Sequence, residues 1–398
     1  MDVKKQKTMK ALWLSAHWNP RATYKLAPSE VETRKATNSN AVWSGPKIEF
    51  VDVSIPRIED DEVLIKVKAC GVCGSDVHCV EQDQQGYVLF SGTTKLPVIP
   101  GHEFSGEIIQ TGKKVSTLNI GDAVAAESIM WCGICLACRT GNLNQCQRLE
   151  MTGLSTPGAF AEYIAVKEKY CWNLDVLKSV YQSEDKLYET GALIEPIGCA
   201  YNGIFVSGGG FKPGAYIAIY GAGPIGLGAL LLARSAGAAK IFVFDINESR
   251  NQLALDLGAD YSASPDTLKQ TGSSPNEVIR EMTSGYGVDI QIEAAGAALD
   301  TMPEITKSFA PNGKMIFLGR HEGTAQIHFD TLVSQANQIM GARGNAGHGV
   351  FGNVIRLLAT GKVPANQMIT SRFAFDRALD AFSQASLRNE GKIMVYFP

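Results

Sequence analysis

AYIAIYGAGPIGLGALLLARSAGA, residues 215–238, decides the fold. A β-prone run ends in Gly221, Gly223 and Gly226, and the glycines open directly onto a stretch whose apolar residues recur at helical spacing. That strand, glycine turn and helix is the context a dinucleotide-binding fingerprint requires. The first glycine permits a tight turn, the second lets backbone amides approach a pyrophosphate at the helix N-terminus, and the third lets helix pack on strand. Pro224 and Ile225 complete the turn and are read with it as cofactor-binding. The triplet alone is equally compatible with an ordinary strand-to-helix connection. What strengthens it is Asp245, about 20 residues on at the end of the next strand, where a carboxylate can accept hydrogen bonds from ribose hydroxyls and would repel a 2′-phosphate. NAD is therefore expected over NADP, with Arg250 the one nearby residue that could accommodate a phosphate.

Outward from that unit, KIFVFD (240–245), VDIQIEAA (288–295) and KMIFLG (314–319) alternate with helical stretches such as SRNQLALDLGA (249–259) and PNEVIREMTSG (275–285). The alternation predicts an α/β fold with a doubly wound parallel sheet over residues 204–345. The rest reads as a second, β-rich domain, residues 1–203 with 346–398. MKALWL (9–14), KIEFVDV (47–53) and DEVLIKVKACGV (61–72) have strand patterning, and glycine and proline punctuate them at short intervals. Residues 16–45 break that rhythm and are read as a long insertion with one helical turn near 30–35. FGNVIRLLATG (351–361) and the segment 378–398 predict two helices and a closing strand.

At 398 residues the chain exceeds the size at which one core stops growing. A net charge of −3 gives no footprint for nucleic acid or an anionic membrane, and no apolar run reaches spanning length, so a small-molecule partner and a cytoplasmic location are expected. Nine cysteines, several clustered, read as metal ligands in a reducing compartment rather than a disulfide framework.

Cys132, Cys135, Cys138 and Cys146 give C-x2-C-x2-C-x7-C, four thiolates able to close a tetrahedron around zinc. With every position filled by protein the role would be structural; an iron–sulfur cluster is the other option for such ligands. A different set, Cys73 in CGVCGSDVH and the pair His102 and Glu103 in PGHEFSG, offers three donors and leaves a fourth position open. There zinc would polarise an alcohol oxygen as a Lewis acid. Glu195, in GALIEPIG, is a candidate fourth or exchangeable ligand, or simply a helix carboxylate. Ser75 is placed to receive the proton of the alcohol and His78 to pass it on, although each is also an ordinary turn or surface residue.

Together CGVCGSDVH, PGHEFSG, the four-cysteine lobe, GAFAEY (158–163), GALIEPIG, GAGPIG and FDINESR resemble the zinc-containing medium-chain alcohol dehydrogenase family, in family order from about Lys47 to Pro398. The resemblance implies a GroES-like catalytic domain joined to a Rossmann domain, one catalytic and one structural zinc, NAD, and a homodimer or homotetramer. Glutamate after the histidine, serine after CG and EP at Glu195 resemble the polyol and threonine dehydrogenase branch. The general texture is similar to bacterial dehydrogenases of inositol-derived ketones and aminocyclitols, which implies a polyol or cyclitol secondary alcohol as substrate. GARGNAGHGVF departs from the polyol pattern, so contacts from Arg343 and His348 stay open. The insertion and the loop GYVLFSGTTKLP (86–97) are where specificity is expected to differ.

Overall fold

The computed structural model describes residues 7–327 and 329–398. Two compact units divide the chain. Residues through Glu195 form one with Ser371–Leu387 and Ile393–Pro398, and Pro196–Thr370 with Arg388–Lys392 form the other. Both boundaries differ from those read in the sequence, 203/204 and 345/346. The first shifts because the chain does not break near 203: one helix (Glu184–Tyr201, α4 below) carries Pro196 inside it and runs on into a π-helical turn, Asn202–Ser207. The second shifts because helix Val350–Leu358 buries Val350, Phe351, Val354, Ile355 and Leu358, and Val350 packs beside Gly198 in the dinucleotide-type unit.

In the first unit, β1 (Thr8–Trp18) and β2 (Trp43–Ser54) form an antiparallel ribbon whose register slips between Ser15 and His17. A seven-stranded sheet carries the rest: β3 (Glu62–Val72), β4 (Glu103–Thr111), β5 (Ala123–Ala126), β8 (Tyr163–Lys167), β9 (Cys171–Asn173), and the returning β16 (Ile369–Ala374) and β17 (Lys392–Tyr396). Val63, Ile65 and Val67 of β3 alternate toward a core with Phe104, Ile108, Phe160 and Val395, all essentially without solvent contact. Each such side chain contributes roughly 1.5–3 kcal/mol on burial. A small ribbon of β6 (Ile129–Met130) and β7 (Glu150–Met151) bounds the four-cysteine loop.

The insertion between β1 and β2 is not a loose loop. Its helix α1 (Pro28–Thr33) forms close to the expected place and ends at Arg34 in the left-handed region. Buried Glu30 holds the excursion from within, accepting from the backbone N–H of Thr37 (2.7 Å), the hydroxyl of Tyr24 (3.0 Å) and the backbone N–H of Ala27 (2.8 Å). Ala36, Val42 and Trp43 share a core with Val88, Phe90, Leu96 and Val98, so the insertion and the 86–97 loop are one packed body.

In the second unit six strands are all parallel: β10 (Tyr216–Tyr220), β11 (Lys240–Phe244), β12 (Tyr261–Ala263), β13 (Val288–Glu293), β14 (Phe309–Phe317) and β15 (Gln338–Gly341). Their spatial order, β12-β11-β10-β13-β14-β15, reverses between β10 and β13. Ligands of such sheets sit in the crevice at the carboxyl ends of the strands beside that reversal. The outer strands β12 and β15 are short and only partly buried, without the apolar run that marks the central four.

Candidate active site and metal centres

β3 ends at Val72 and gives way at Cys73 to a single helical turn, α2 (Gly74–His78). The sequence closes that turn itself: the Cys73 backbone N–H donates to Asp76 Oδ2 at 3.0 Å. His102 lies one residue before β4, and the chain reaches it through Gly101 at φ +95°, where a Cβ would stand 2.6 Å from Phe160 Cδ2. Only glycine makes that bend without strain. Glu103 begins the strand.

These elements bring one donor each from Cys73, His102 and Glu103 within 4.8 Å of one another. His102 and Glu103 are buried. Behind them stands a residue the sequence reading did not single out: Asp76, fully buried, whose Oδ1 is 3.5 Å from His102 Nδ1 and accepts from the Gly101 backbone N–H at 3.3 Å. Its signal was present in the capping pattern of CGSD, but a cap and an imidazole partner look alike until the fold places His102 beside it. Burial opposes a charged imidazole here, yet the Asp76 carboxylate and the Cys73 sulfur outweigh it and hold the His102 pKa well above its usual value. A buried pocket that stabilises a proton on its own imidazole is a pocket of negative potential. A dication in the proton's place suits the same donor set: thiolate, imidazole and carboxylate at zinc-ligand spacing.

Ser75 faces this group, with its hydroxyl 3.4 Å from His102 Nε2. His78 lies at the end of the same turn, half-exposed, its Nδ1 3.3 Å from Glu81. Glu195 is buried but is not one of the three clustered donors; its Oε1 accepts from the Ser128 hydroxyl at 2.7 Å.

The four-cysteine lobe likewise brings the sulfurs of Cys132, Cys135, Cys138 and Cys146 within 4.8 Å of one another. Backbone N–H groups aim at the sulfurs: Cys132 and Arg148 donate to Cys146 Sγ at 3.3 Å each. The N–H groups of Cys138 and Gln147 pull Cys135 down to about 6, and those of Ile134 and Cys135 lower Cys132. Burial pushes the Cys138 thiol up to about 12, so the fit to a metal rests on the mutual approach of the four sulfurs, two of them eased toward the thiolate. Ile134 and Leu136 point outward to solvent, so the lobe has little apolar core to hold it otherwise.

In the second unit Gly221 follows β10 at φ +98°, and Gly223 caps α5 (Pro224–Ser235) with Pro224 in its first turn. Asp245 follows β11. Its Oδ2 accepts from the Ala222 backbone N–H at 2.7 Å and its Oδ1 from that of Asn247 at 2.9 Å, so the carboxylate ties the glycine turn to the neighbouring strand end. A carboxylate has acceptor capacity beyond two bonds, which leaves room for a ribose hydroxyl. Arg250 lies alongside, Nη1 3.8 Å from Asp245 Oδ2 and Nε donating to the Glu390 carbonyl at 2.8 Å. Its guanidinium thus stands between Asp245 and the glycine turn, with Nη1 4.0 Å from where a Cβ on Gly223 would lie. Arg343 contributes its carbonyl to Asn202, and His348 sits at φ +52° before helix Val350–Leu358.

Among the described residues no helix is long and apolar enough to cross a membrane. Residues 59–176 match the alcohol dehydrogenase GroES-like domain family and residues 224–360 the zinc-binding dehydrogenase family. The chain is similar to the scyllo-inosose 3-dehydrogenase of Thermotoga maritima, 38% identical over 364 residues that cover 89% of this chain and 91% of the relative. It is also similar to the L-threonine 3-dehydrogenase of Pyrococcus horikoshii, 32% identical over 87% of this chain and 94% of that one. A solved Thermotoga maritima protein described as an alcohol dehydrogenase superposes with a TM-score of 0.92 at 34% identity, covering 98% of this chain and all of the other. With both domains matched and the likeness running nearly end to end, the chain belongs to the zinc-dependent medium-chain alcohol dehydrogenase family and is an oxidoreductase.

Proposed function

We propose that the protein oxidises a ring secondary alcohol of a cyclitol, scyllo-inosose or a related inositol derivative, to a ketone with NAD. The observation that carries this reading is the 38% identity to a scyllo-inosose 3-dehydrogenase across about nine-tenths of both chains. Asp245 supports NAD over NADP because its buried carboxylate lies beside the glycine turn with Arg250 tethered to it.

Cys73, His102 and Glu103 would hold the catalytic zinc, with Glu195 as an exchangeable ligand, and Cys132, Cys135, Cys138 and Cys146 the structural one. The catalytic zinc supplies Lewis acidity toward the alcohol oxygen and NAD supplies the hydride acceptor. The Ser75 hydroxyl accepts the substrate's hydroxyl proton as it gives up its own to His78, which reaches solvent and is steadied by Glu81. Asp76 fixes the His102 ring so that the donor set keeps its geometry. Gly221, Gly223, Pro224, Ile225 and Gly226 form the turn that receives the pyrophosphate. A cytoplasmic, homo-oligomeric enzyme is part of the same reading, supported by the nine free thiols and by the family resemblance.

NADH formation by the zinc-loaded protein against scyllo-inosose, myo-inositol, an aminocyclitol, sorbitol, xylitol, threonine and simple alcohols tests this. Selective turnover of ring alcohols is expected. Turnover confined to threonine would replace the substrate class and leave the zinc and cofactor assignments standing.

A further inference from the structure

Glu293 ends β13 where the strand order of the parallel sheet reverses, and no motif marks it. It pairs with Tyr220, the last residue of β10, and the Ala294 N–H continues the pairing by donating to the Tyr220 carbonyl at 2.8 Å. The Glu293 side chain has no solvent contact. Its carboxylate turns back under the loop that follows: Oε2 accepts from the Gly296 N–H at 3.2 Å and Oε1 from the Ala297 N–H at 3.1 Å, and the Ala295 N–H joins them. Burial raises its pKa against the pull of these N–H groups and of His321. His321 also holds Gly296 from the other side, its Nδ1 lying 3.2 Å from the Gly296 carbonyl. The end of β14 closes the arrangement. The N–H groups of Leu318 and Gly319 donate to the Glu293 carbonyl at 2.8 and 3.0 Å, and a Cβ on Gly319 would stand 2.5 Å from Glu293 Oε2.

The loop held in this way backs the cofactor turn. A Cβ on Gly221 would lie 2.8 Å from the Ala295 nitrogen and 2.9 Å from the Ala294 carbonyl carbon, so the first glycine of the turn rests directly on this backbone. We propose that Glu293 is a positioning residue for the cofactor: its carboxylate sets residues 294–297 and, through them, the turn that receives the pyrophosphate. The proposal rests on the reading of Gly221, Gly223 and Gly226 as that turn. Three N–H donors converging on one side chain suit a carboxylate, which has two accepting oxygens. Glutamine has the same size but puts an NH2 where one oxygen faces an N–H donor. The loop must then shift, and Gly221 loses the surface it rests on. A hydrogen bond to a charged acceptor such as the pyrophosphate is worth about tenfold or more, so one mis-aimed turn amide weakens NADH by that factor. The adenosine half, at Asp245 beyond β11, lies on the other side of the reversal and keeps its contacts.

The test uses the full chain as wild type, Glu293→Gln, His321→Ala, Val288→Ala and Gly223→Ala. His321→Ala is the milder change, releasing the same loop from a half-buried side chain, whereas Val288→Ala opens a cavity at the opposite end of β13. NADH affinity is read by fluorescence titration, AMP affinity by calorimetry as a probe of the adenosine half, and melting by circular dichroism. Glu293→Gln is expected to weaken NADH about tenfold and to raise KM for NAD by a similar factor, His321→Ala to do so about threefold, and both to leave AMP within about twofold of wild type. Val288→Ala should melt lower with NADH affinity unchanged, which separates positioning from a general loss of stability. Wild-type NADH affinity in Glu293→Gln and His321→Ala, while Gly223→Ala weakens it, overturns the positioning role and leaves the cofactor turn standing. Wild-type affinity in Gly223→Ala as well removes the turn assignment and the proposal with it. Equal weakening of NADH and AMP in Glu293→Gln, or weaker NADH in Val288→Ala, overturns the proposal too, because the change is then one of the whole unit.

Discussion

Gly223 and Gly226 are three residues apart in one turn, yet they should fail in opposite ways. A Cβ at Gly226 would lie 1.8 Å from the Gly221 carbonyl oxygen and 3.4 Å from Ile219 Cγ2. The obstacle is backbone, so helix α5 must move off strand β10 by more than 1 Å, roughly the shortfall from van der Waals contact. Overpacking of this kind costs about 3 kcal/mol. At roughly 2–4 °C per kcal/mol for a unit of this size, Gly226→Ala should lower the melting temperature by about 6–12 °C. Gly223 is in extended backbone, φ −73°, and the nearest atom to its would-be Cβ is Arg250 Nη1 at 4.0 Å. Alanine is a poorer N-cap than glycine but restricts the unfolded chain, and the two effects cancel to within about 1 kcal/mol. Gly223→Ala should therefore melt within a few degrees of wild type, while its methyl stands where the pyrophosphate must approach and weakens NADH binding at least tenfold, on the order of 1.4 kcal/mol. Circular dichroism melts and NADH fluorescence titrations read the two quantities separately. A wild-type melt for Gly226→Ala, or wild-type NADH affinity for Gly223→Ala, would refute the assignment of separate packing and cofactor roles within the turn.

Zinc analysis should find one metal lost from Cys73→Ser with the fold intact and activity gone, whereas Cys135→Ser should lose the other metal and expose the lobe to proteolysis; equal unfolding of both would contradict the division between catalytic and structural sites. Asp245→Ala should reduce the preference for NAD over NADP about tenfold or more, read as the ratio of kcat/KM for the two cofactors, and an unchanged ratio would remove the ribose argument. Burial raises the Glu127 carboxyl from 4.5 to about 7 although two indole N–H groups and Lys169 pull it down. Because the folded value is the higher one, stability from this group is complete below about pH 4.5 and declines as pH rises toward 7, by about 3 kcal/mol at the limit. Denaturant unfolding of Glu127→Gln at pH 5 and pH 8 should show a correspondingly smaller loss on raising pH than wild type; parallel losses would mean that Glu127 is already ionised in the folded protein.

The parts of the fold that were legible share one property: their signal is local. GAGPIG is bounded by its own strand and helix, the thiols of the lobe lie within 15 consecutive residues, and the central strands β10, β11, β13 and β14 are apolar runs of their own. What escaped is non-local. β12 and β15 at the rims of the parallel sheet, and β16 beside β17, owe their strand state to a neighbour's free edge more than to their own residues. Asp76 looks like a cap until β4 brings His102 to it, and Ser128 looks like a loop residue until α4 brings Glu195. The first domain boundary, read at 203/204, lies beyond the Glu195–Pro196 division of the two units because one helix, α4, crosses it. Pro196 sits inside that helix, where the burial of Leu193, Ile194 and Ile197 outweighs the lost backbone hydrogen bond.

The insertion illustrates how far such dependence reaches. Arg21 pairs with Asp83 and Gln85 while its guanidinium lies over the Tyr87 ring at 3.8 Å, and Ser39 bonds to the Gly92 carbonyl and to Thr94. The backbone N–H groups of Leu89 and Phe90 in turn both donate to the His78 carbonyl at 3.0 Å, at the end of the turn that carries Ser75. Insertion, loop and the turn that carries Ser75 and His78 are thus one continuous chain of contacts. A chimera that exchanged the insertion alone would strip Val88, Phe90 and Val98 of their partners and loosen the anchor on His78, so a change in substrate preference could not be separated from a disturbed relay. Residues 16–45 and 86–97 have to be exchanged together, and when they are, KM should move between ring alcohols and open-chain polyols while kcat, if the proposed relay through Ser75 and His78 is kept, stays within a few-fold of wild type.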